Sequence, residues 1–223
     1  MLLLQLCYHW GMVTVILVRH GENDWVKKHR LAGWIEGVHL NKNGRSQAQD
    51  AAKRLNNLPI KALYSSPVTR CMETAAFIAQ AQELDIIKLE AVGEVRCGDW
   101  EGKKIKKLAT KPEWQVVQYY PSRFRFPKGE ALREVQFRAI QAIENLSKKY
   151  KDDIIVVVSH ADVIKLVLAH YLGVHIDLFQ RIVISPASLT VLALMENGVV
   201  RVVRVNDTGL LQPLPGLLPE KKK

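Results

Sequence analysis

The chain is poor in the residues that build covalent or thiolate-metal scaffolds. It has 3 cysteines in 223 residues, Cys7, Cys71 and Cys97, an odd number with no C-x-x-C spacing. That excludes a disulfide framework and a cysteine zinc site, and it suits a reducing, cytoplasmic setting. No apolar run reaches the length that spans a bilayer, so no membrane partner is expected. The opening MLLLQLCYHWG lacks a basic start and a small-residue cleavage site, and does not read as a signal peptide. Met12 follows directly, and residues 1–11 are taken as an extension outside the fold. Acidic residues are also scarce: 22 Asp+Glu against 32 Lys+Arg leave a formal net charge of +10. Such a balance favours an anionic partner without naming it. Part of the excess lies in Lys103, Lys104, Lys106, Lys107 and the closing Lys221 to Lys223, which read as solvated faces. No aromatic-rich basic module accompanies them, so nucleic acid is not expected.

What the chain does have is a hydrophobic content of 48%, enough for one full-sized core. Its organising stretch is VTVILVRHGE, Val13 to Glu22, where β-formers run straight into Arg19-His20-Gly21-Glu22. A run without polar alternation predicts a strand buried on both faces. Its carboxyl end is where open α/β sheets place their ligand crevice. Asn41 or Asn43 can cap a helix running to about Leu55, and Lys61 to Tyr64 predicts a second strand. Ser66 as cap and Pro67 at the first helical position then predict a helix start, with Arg70 in its first turns. Ile86 to Leu89 reads as a third strand, and Gly93 to Gly102 as a loop. A lysine-rich helix follows to about Thr110, stopped by Pro112. Glu113 to Lys128, with Pro121 and Pro127, reads as a lid or rim rather than core. Glu130 to Lys149 is an amphipathic helix. Ile154 to Val158 is the second all-apolar strand and empties into Ser159-His160, with a helix through Leu172 after it. Leu189 to Met195 and Val199 to Val205 flank Asn197-Gly198, a strong hairpin signal. This alternation predicts one α/β domain over residues 12–206, a three-layer α/β/α sandwich on a mainly parallel sheet, with 207–223 as a tail.

Three strand ends therefore carry Arg19-His20, Ser65 to Arg70, and His160. In a parallel sheet they share one edge, and two histidines, two arginines and a helix start there would form a dense anion site. His39, His170 and His175 lack such a context and read as surface or packing residues, as Trp34 and Trp100 read as loop anchors.

The segments Leu17-Val18-Arg19-His20-Gly21-Glu22, Ser65-Ser66-Pro67-Val68-Thr69-Arg70 and Ser159-His160 resemble the signatures of the histidine phosphatase superfamily, also called phosphoglycerate mutase-like. The resemblance runs from about Met12 to Asn206 and includes Arg30-Leu31-Ala32-Gly33-Trp34, Glu94 with Gly98 to Gly102, and Pro127 to Glu130. It implies a phosphoglycerate mutase-like fold and covalent catalysis without metal or cofactor. His20 would attack phosphorus as a neutral imidazole. Arg19, Arg70 and His160 would hold the phosphoryl oxygens. A protonated Glu94 would serve the leaving oxygen and later deprotonate water, although Glu22, Glu101 and Glu130 compete for that role. Gly21, Glu22, Asn23, Ala161, Arg123 and Arg125 complete the implied substrate-binding set.

Departures from the mutase branch are visible. Val26 stands where that branch has a phosphate-binding asparagine, and Asn23 could substitute if the loop differs. The segment from Glu113 to Lys128 is shorter than the mutases' arginine-rich insertion. The expectation is a phosphatase acting on a small phosphorylated metabolite, a sugar phosphate or phosphoglycerate derivative, and releasing inorganic phosphate. A phosphomutase and a non-catalytic phospholigand-binding protein are the alternatives, and monomer and homo-oligomer are both compatible.

Overall fold

The computed structural model describes residues 11–209, so the reading of residues 1–10, of Cys7 and of the tail beyond Gly209 lies outside the described residues. The organising stretch forms β1 (Met12–Arg19), whose interior residues Val15 to Val18 are buried. It is central because it is paired on both sides. β4 (Ile154–Ser159) runs parallel to it, and β5 (Leu189–Met195) runs antiparallel. β2 (Ile60–Ser65), β3 (Ile86–Lys88) and β6 (Val200–Asp207) complete a six-stranded sheet of order β3-β2-β4-β1-β5-β6. The four parallel strands and their antiparallel hairpin extension match the mainly parallel sheet expected from the sequence.

Alternate residues of β1 feed two cores. Ile16 and Val18 pack with Ala51, Ala52 and Leu55 of α2 (Lys42–Leu55) and with Cys71, Ala75 and Ile78 of α3 (Thr69–Gln82). Val13, Val15 and Leu17 share the opposite core with Val135, Ala139 and Ile143 of α6 (Leu132–Lys149) and Ile164 and Leu168 of α7 (Ala161–Tyr171). This is the three-layer α/β/α sandwich, and it brings Arg19, Ser65 and Ser159 to one sheet edge.

One local expectation fails and another holds only in part, each for an identifiable reason. α3 begins at Thr69, with Val68 as its N-cap and no side-chain cap, rather than at Ser66-Pro67. The Ser66 hydroxyl is instead 2.8 Å from Nε2 of His160, so its main partner is the site and not the helix. The segment read as rim is exposed over half its length, but Val117, Phe124 and Phe126 enter the core. Pro112 opens α5 (Pro112–Tyr119) at its first turn instead of merely stopping the one-turn α4 (Ile105–Leu108). Trp100 then stacks on Trp114 with ring centroids 6.0 Å apart and meets Phe124 and Phe126 at 5.3 and 5.4 Å. Only Tyr119 and Tyr120 of that segment's aromatics stay largely exposed. The α2 cap, left open between two asparagines, is Asn41, whose Oδ1 accepts from the Gly44 N–H. Among the described residues no helix is long and apolar enough to cross a membrane.

If Phe124 is core, Phe124→Ala should lower unfolding free energy by about 3–5 kcal/mol in denaturant titration. A loss under about 0.5 kcal/mol, the scale of a surface change, would return the segment to rim status.

Candidate active site

β1 delivers Arg19 and His20 to the sheet edge, and the chain then turns over the start of α2. Two glycines make that turn possible. A Cβ on Gly21 would meet the Gly44 carbonyl oxygen at 2.3 Å, and one on Gly44 would meet the Glu22 oxygen at 2.0 Å. Main chain therefore lies against main chain, and neither contact could relax by moving a side chain. The Gly21 N–H donates to Thr74 Oγ1 (3.1 Å), whose hydroxyl donates to the Arg70 carbonyl (2.8 Å), tying this loop to α3.

His20 is buried, and its tautomer follows from its partners. Nδ1 lies 2.7 Å from the Gly21 carbonyl, which can only accept, so Nδ1 carries the proton. Nε2 accepts from Arg70 Nε at 3.1 Å and keeps its lone pair. Burial, followed by the charges of Arg70, His160 and Arg19, holds the imidazole well below its usual pKa. His20 is therefore a neutral base at neutral pH.

Arg70, 1% exposed, is the hub. Its Nη2 reaches the Gly33 carbonyl at 3.0 Å, Glu94 Oε2 at 3.3 Å and His160 Nδ1 at 3.1 Å. His160 is fully buried, with its ring centroid 5.3 Å from that of His20. Its Nδ1 also lies 3.3 Å from Glu94 Oε2. Burial lowers His160 to about 4 against the opposing pull of Glu94. For Glu94 burial acts upward, but His160, Arg70 and the Val95 N–H outweigh it and keep the carboxyl below its usual range. The sequence reading required a protonated Glu94; the site as built holds a carboxylate, because an arginine and a histidine face it.

Three buried donors at this edge have no protein acceptor: Arg19 Nε, Arg70 Nη1 and Asn23 Nδ2. Each orphaned donor costs on the order of 1–3 kcal/mol unless an acceptor reaches it. Arg19 also donates through Nη1 to the Ile184 carbonyl (2.6 Å). Asn23 uses Oδ1 to cap α1 (Asp24–Lys27), which leaves its amide nitrogen available; Val26 lies on that turn and is 37% exposed. α7 starts at Ala161 with His160 as its N-cap, so a helix N-terminus joins the same edge.

The remaining predicted residues lie apart from these contacts. Glu22 accepts from Asn41 Nδ2 through its carboxylate and donates its N–H to Gln47, bracing the loop. Arg125 pairs with Glu134 and bonds the Gly129 carbonyl, and the Arg123 guanidinium lies 5.9 Å from the centre of the Tyr120 ring. No hydrogen bond or ion pair links either arginine to the His20 cluster. Among the competing acids, Glu101 accepts from the Trp34 and Cys97 N–H groups, and Glu130 pairs with Arg138. Among the described residues, no group of three or more His, Cys, Asp or Glu could hold a metal ion. Sequence reading missed Thr74, the Gly33 carbonyl and the contact of Ser66 with His160, because each serves through a hydrogen bond to a residue remote in sequence.

The doubly wound sheet and this edge define a phosphoglycerate mutase-like α/β enzyme. A family-level comparison matches residues 15–208 to the histidine phosphatase superfamily (branch 1). Phosphoserine phosphatase 1 of Hydrogenobacter thermophilus is 30% identical over 207 residues, covering 88% of this chain and 93% of that protein. The solved structure of Bacillus stearothermophilus YhfR superposes with a TM-score of 0.81 at 26% identity, over 87% of this chain and 97% of that one. Phosphoserine phosphatase of Entamoeba histolytica, in complex with 3-phosphoglyceric acid, shares the fold with a TM-score of 0.79 at 23% identity, over 87% and 97% of the two chains. The chain belongs to the histidine phosphatase superfamily, and it is an enzyme of the phosphatase class.

Gly21→Ala should displace the His20 loop from α2 and cost on the order of 1–3 kcal/mol. Activity on an aryl phosphate should fall with it. Wild-type values for both would show that the Gly21–Gly44 contact has room to spare.

Proposed function

We propose that the chain is a cofactor-independent phosphomonoesterase that hydrolyses a small phosphorylated metabolite through a phosphohistidine on His20. The observation that carries this reading is a neutral imidazole that accepts from Arg70, with unpartnered buried donors on Arg70 itself, on Arg19 next to His20 in the chain and on Asn23 three residues on. Arg19, Arg70, Asn23 and the α7 start at His160-Ala161 would donate to the phosphoryl oxygens, and their positive field would offset charge in the in-line transition state. His20 Nε2 would attack phosphorus while the bond to the leaving oxygen breaks. The Nδ1–H bond to Gly21 would hold the ring in the attacking tautomer.

The leaving oxygen needs a proton, and Glu94 rests as a carboxylate. A phosphomonoester has a second pKa of about 6, so its monoanion can bring that proton with it. Bound phosphoryl charge beside Glu94 also raises the proton affinity of the carboxyl. Glu94 would pass the proton to the leaving oxygen, then take one from the water that attacks the phosphohistidine. The phosphorus–nitrogen bond breaks, the proton on Glu94 passes to the phosphate, which leaves as its monoanion, and both groups return to their starting forms.

The substrate reading is a phosphoglycerate-type, sugar or amino-acid phosphate, supported by the phosphoserine phosphatase named among the relatives. Val26 offers no phosphate-binding amide, and the two arginines flanking Phe124 make their contacts with Tyr120, Gly129 and Glu134 and not with the His20 cluster, which favours hydrolysis over mutase chemistry.

His20→Ala should abolish turnover of p-nitrophenyl phosphate, and persistent turnover would remove His20 as nucleophile. Rapid-quench trapping should find a phosphohistidine that water clears within the turnover time; a long-lived one would indicate a mutase. The pH profile tests the proton inventory. Catalysis needs one proton that the substrate loses above pH about 6, and His20 stays neutral to well below its ordinary value. For an alkyl phosphate, kcat/KM should therefore fall as pH rises through about 6, and Glu94→Gln should flatten that limb. A profile rising through that range would overturn the assignment of the proton's source.

A further inference from the structure

The loop that carries Glu94 has no regular secondary structure around the residue itself, yet the carboxyl must stay in register with Arg70 and His160. One side chain outside the active edge holds it. Arg138, on α6, uses all five of its N–H donors. Nη1 donates to the Ala91 carbonyl (2.7 Å) and the Gly93 carbonyl (2.9 Å), and Nη2 donates to the Glu94 carbonyl (3.0 Å). Nε and Nη2 also form a bidentate pair with Glu130 at 2.9 and 3.0 Å. Glu130 in turn accepts from the Arg96 N–H (2.9 Å), on the other side of Glu94. The second acceptor position of the Glu94 carbonyl is taken by Trp34 Nε1 at 2.6 Å. Trp34 follows Gly33, whose carbonyl binds Arg70. The loop is thus fixed from two sides, by α6 and by the Gly33-Trp34 turn.

Packing does not do this work alone. A cavity of about 290 Å³, bounded by Trp34, Glu90, Ala91, Arg96 and Arg138, lies along the loop. A loop released from the guanidinium would have space to shift, and lysine could not replace the fork, having three donors on one point.

We propose that Arg138, oriented by Glu130, is a positioning residue that sets the Glu94 carboxyl for proton transfer to the leaving group. This rests on the reading of Glu94 as the proton donor. A carboxyl displaced by about 1 Å loses on the order of a hundredfold in a step that depends on it. Proton donation matters for a poor leaving group and little for a good one, so the effect is selective.

The test compares Arg138→Lys, Arg138→Met and Glu94→Gln on an alkyl phosphate, 3-phosphoglycerate, and on p-nitrophenyl phosphate, with thermal unfolding of each variant. Both Arg138 variants should lose about ten- to a hundredfold in kcat on the alkyl phosphate and less than about threefold on the aryl phosphate. In the Glu94→Gln background the further loss on the alkyl phosphate should fall below about threefold. Equal slowing on both substrates, or multiplicative loss in the double variant, would show a general structural role and overturn the proposal. Equal slowing by Glu94→Gln alone would overturn the proton-donor reading and this proposal with it. Selective slowing by Glu94→Gln beside uniform slowing by Arg138→Lys would overturn the proposal only. Arg138→Lys keeps the charge and most of the volume, so it decides the matter if Arg138→Met does not fold.

Discussion

The site depends on one buried cation. Arg70, 1% exposed, has left water, and a guanidinium in that position is tolerated only with good geometry on several acceptors. Its partners come from four separate parts of the chain: His20 after β1, Gly33 in the loop beyond α1, Glu94 after β3 and His160 after β4. Satisfying the arginine therefore assembles the site. Burial, with the charge of Arg70 added to it, keeps both histidines neutral, and His160 and Arg70 together hold Glu94 ionised.

Around that hub the fold divides the work between regular elements and loops. The sheet edge supplies Arg19 and, immediately after β4, His160, both with little freedom because their strands are paired on each side. Glu94 has no such support, and its carbonyl is held by side chains instead. A strand fixes a residue through its own main chain, whereas a loop has to borrow rigidity from neighbours.

Much of this was legible in the sequence. Unbroken Val, Ile and Leu runs ending in Arg-His and Ser-His fix strand, direction and edge together, because a buried parallel strand has few other ways to end. The errors share a cause, which is that one residue can satisfy two partners. Ser66 before Pro67 reads as a helix cap, and only the fold brings His160 within reach of it. Phe124 and Phe126 look like rim aromatics until Trp100, more than twenty positions earlier, supplies their partner. Arg138 on an amphipathic helix looks like any solvated arginine, since its three carbonyl acceptors lie over forty positions away. The charge of Glu94 was misread because residue type reveals a titratable group but not what faces it.

The seam between Gly21 and Gly44 has a bearing on how such an enzyme can be altered. At this seam the His20 loop rests on carbonyl and α-carbon atoms, which every amino acid possesses, and not on a side chain's shape. Side chains on the exposed surface can therefore change without disturbing this contact. The seam itself is the place where no library should be varied. The position of His20 is in this sense insulated from much of what varies on a protein's surface.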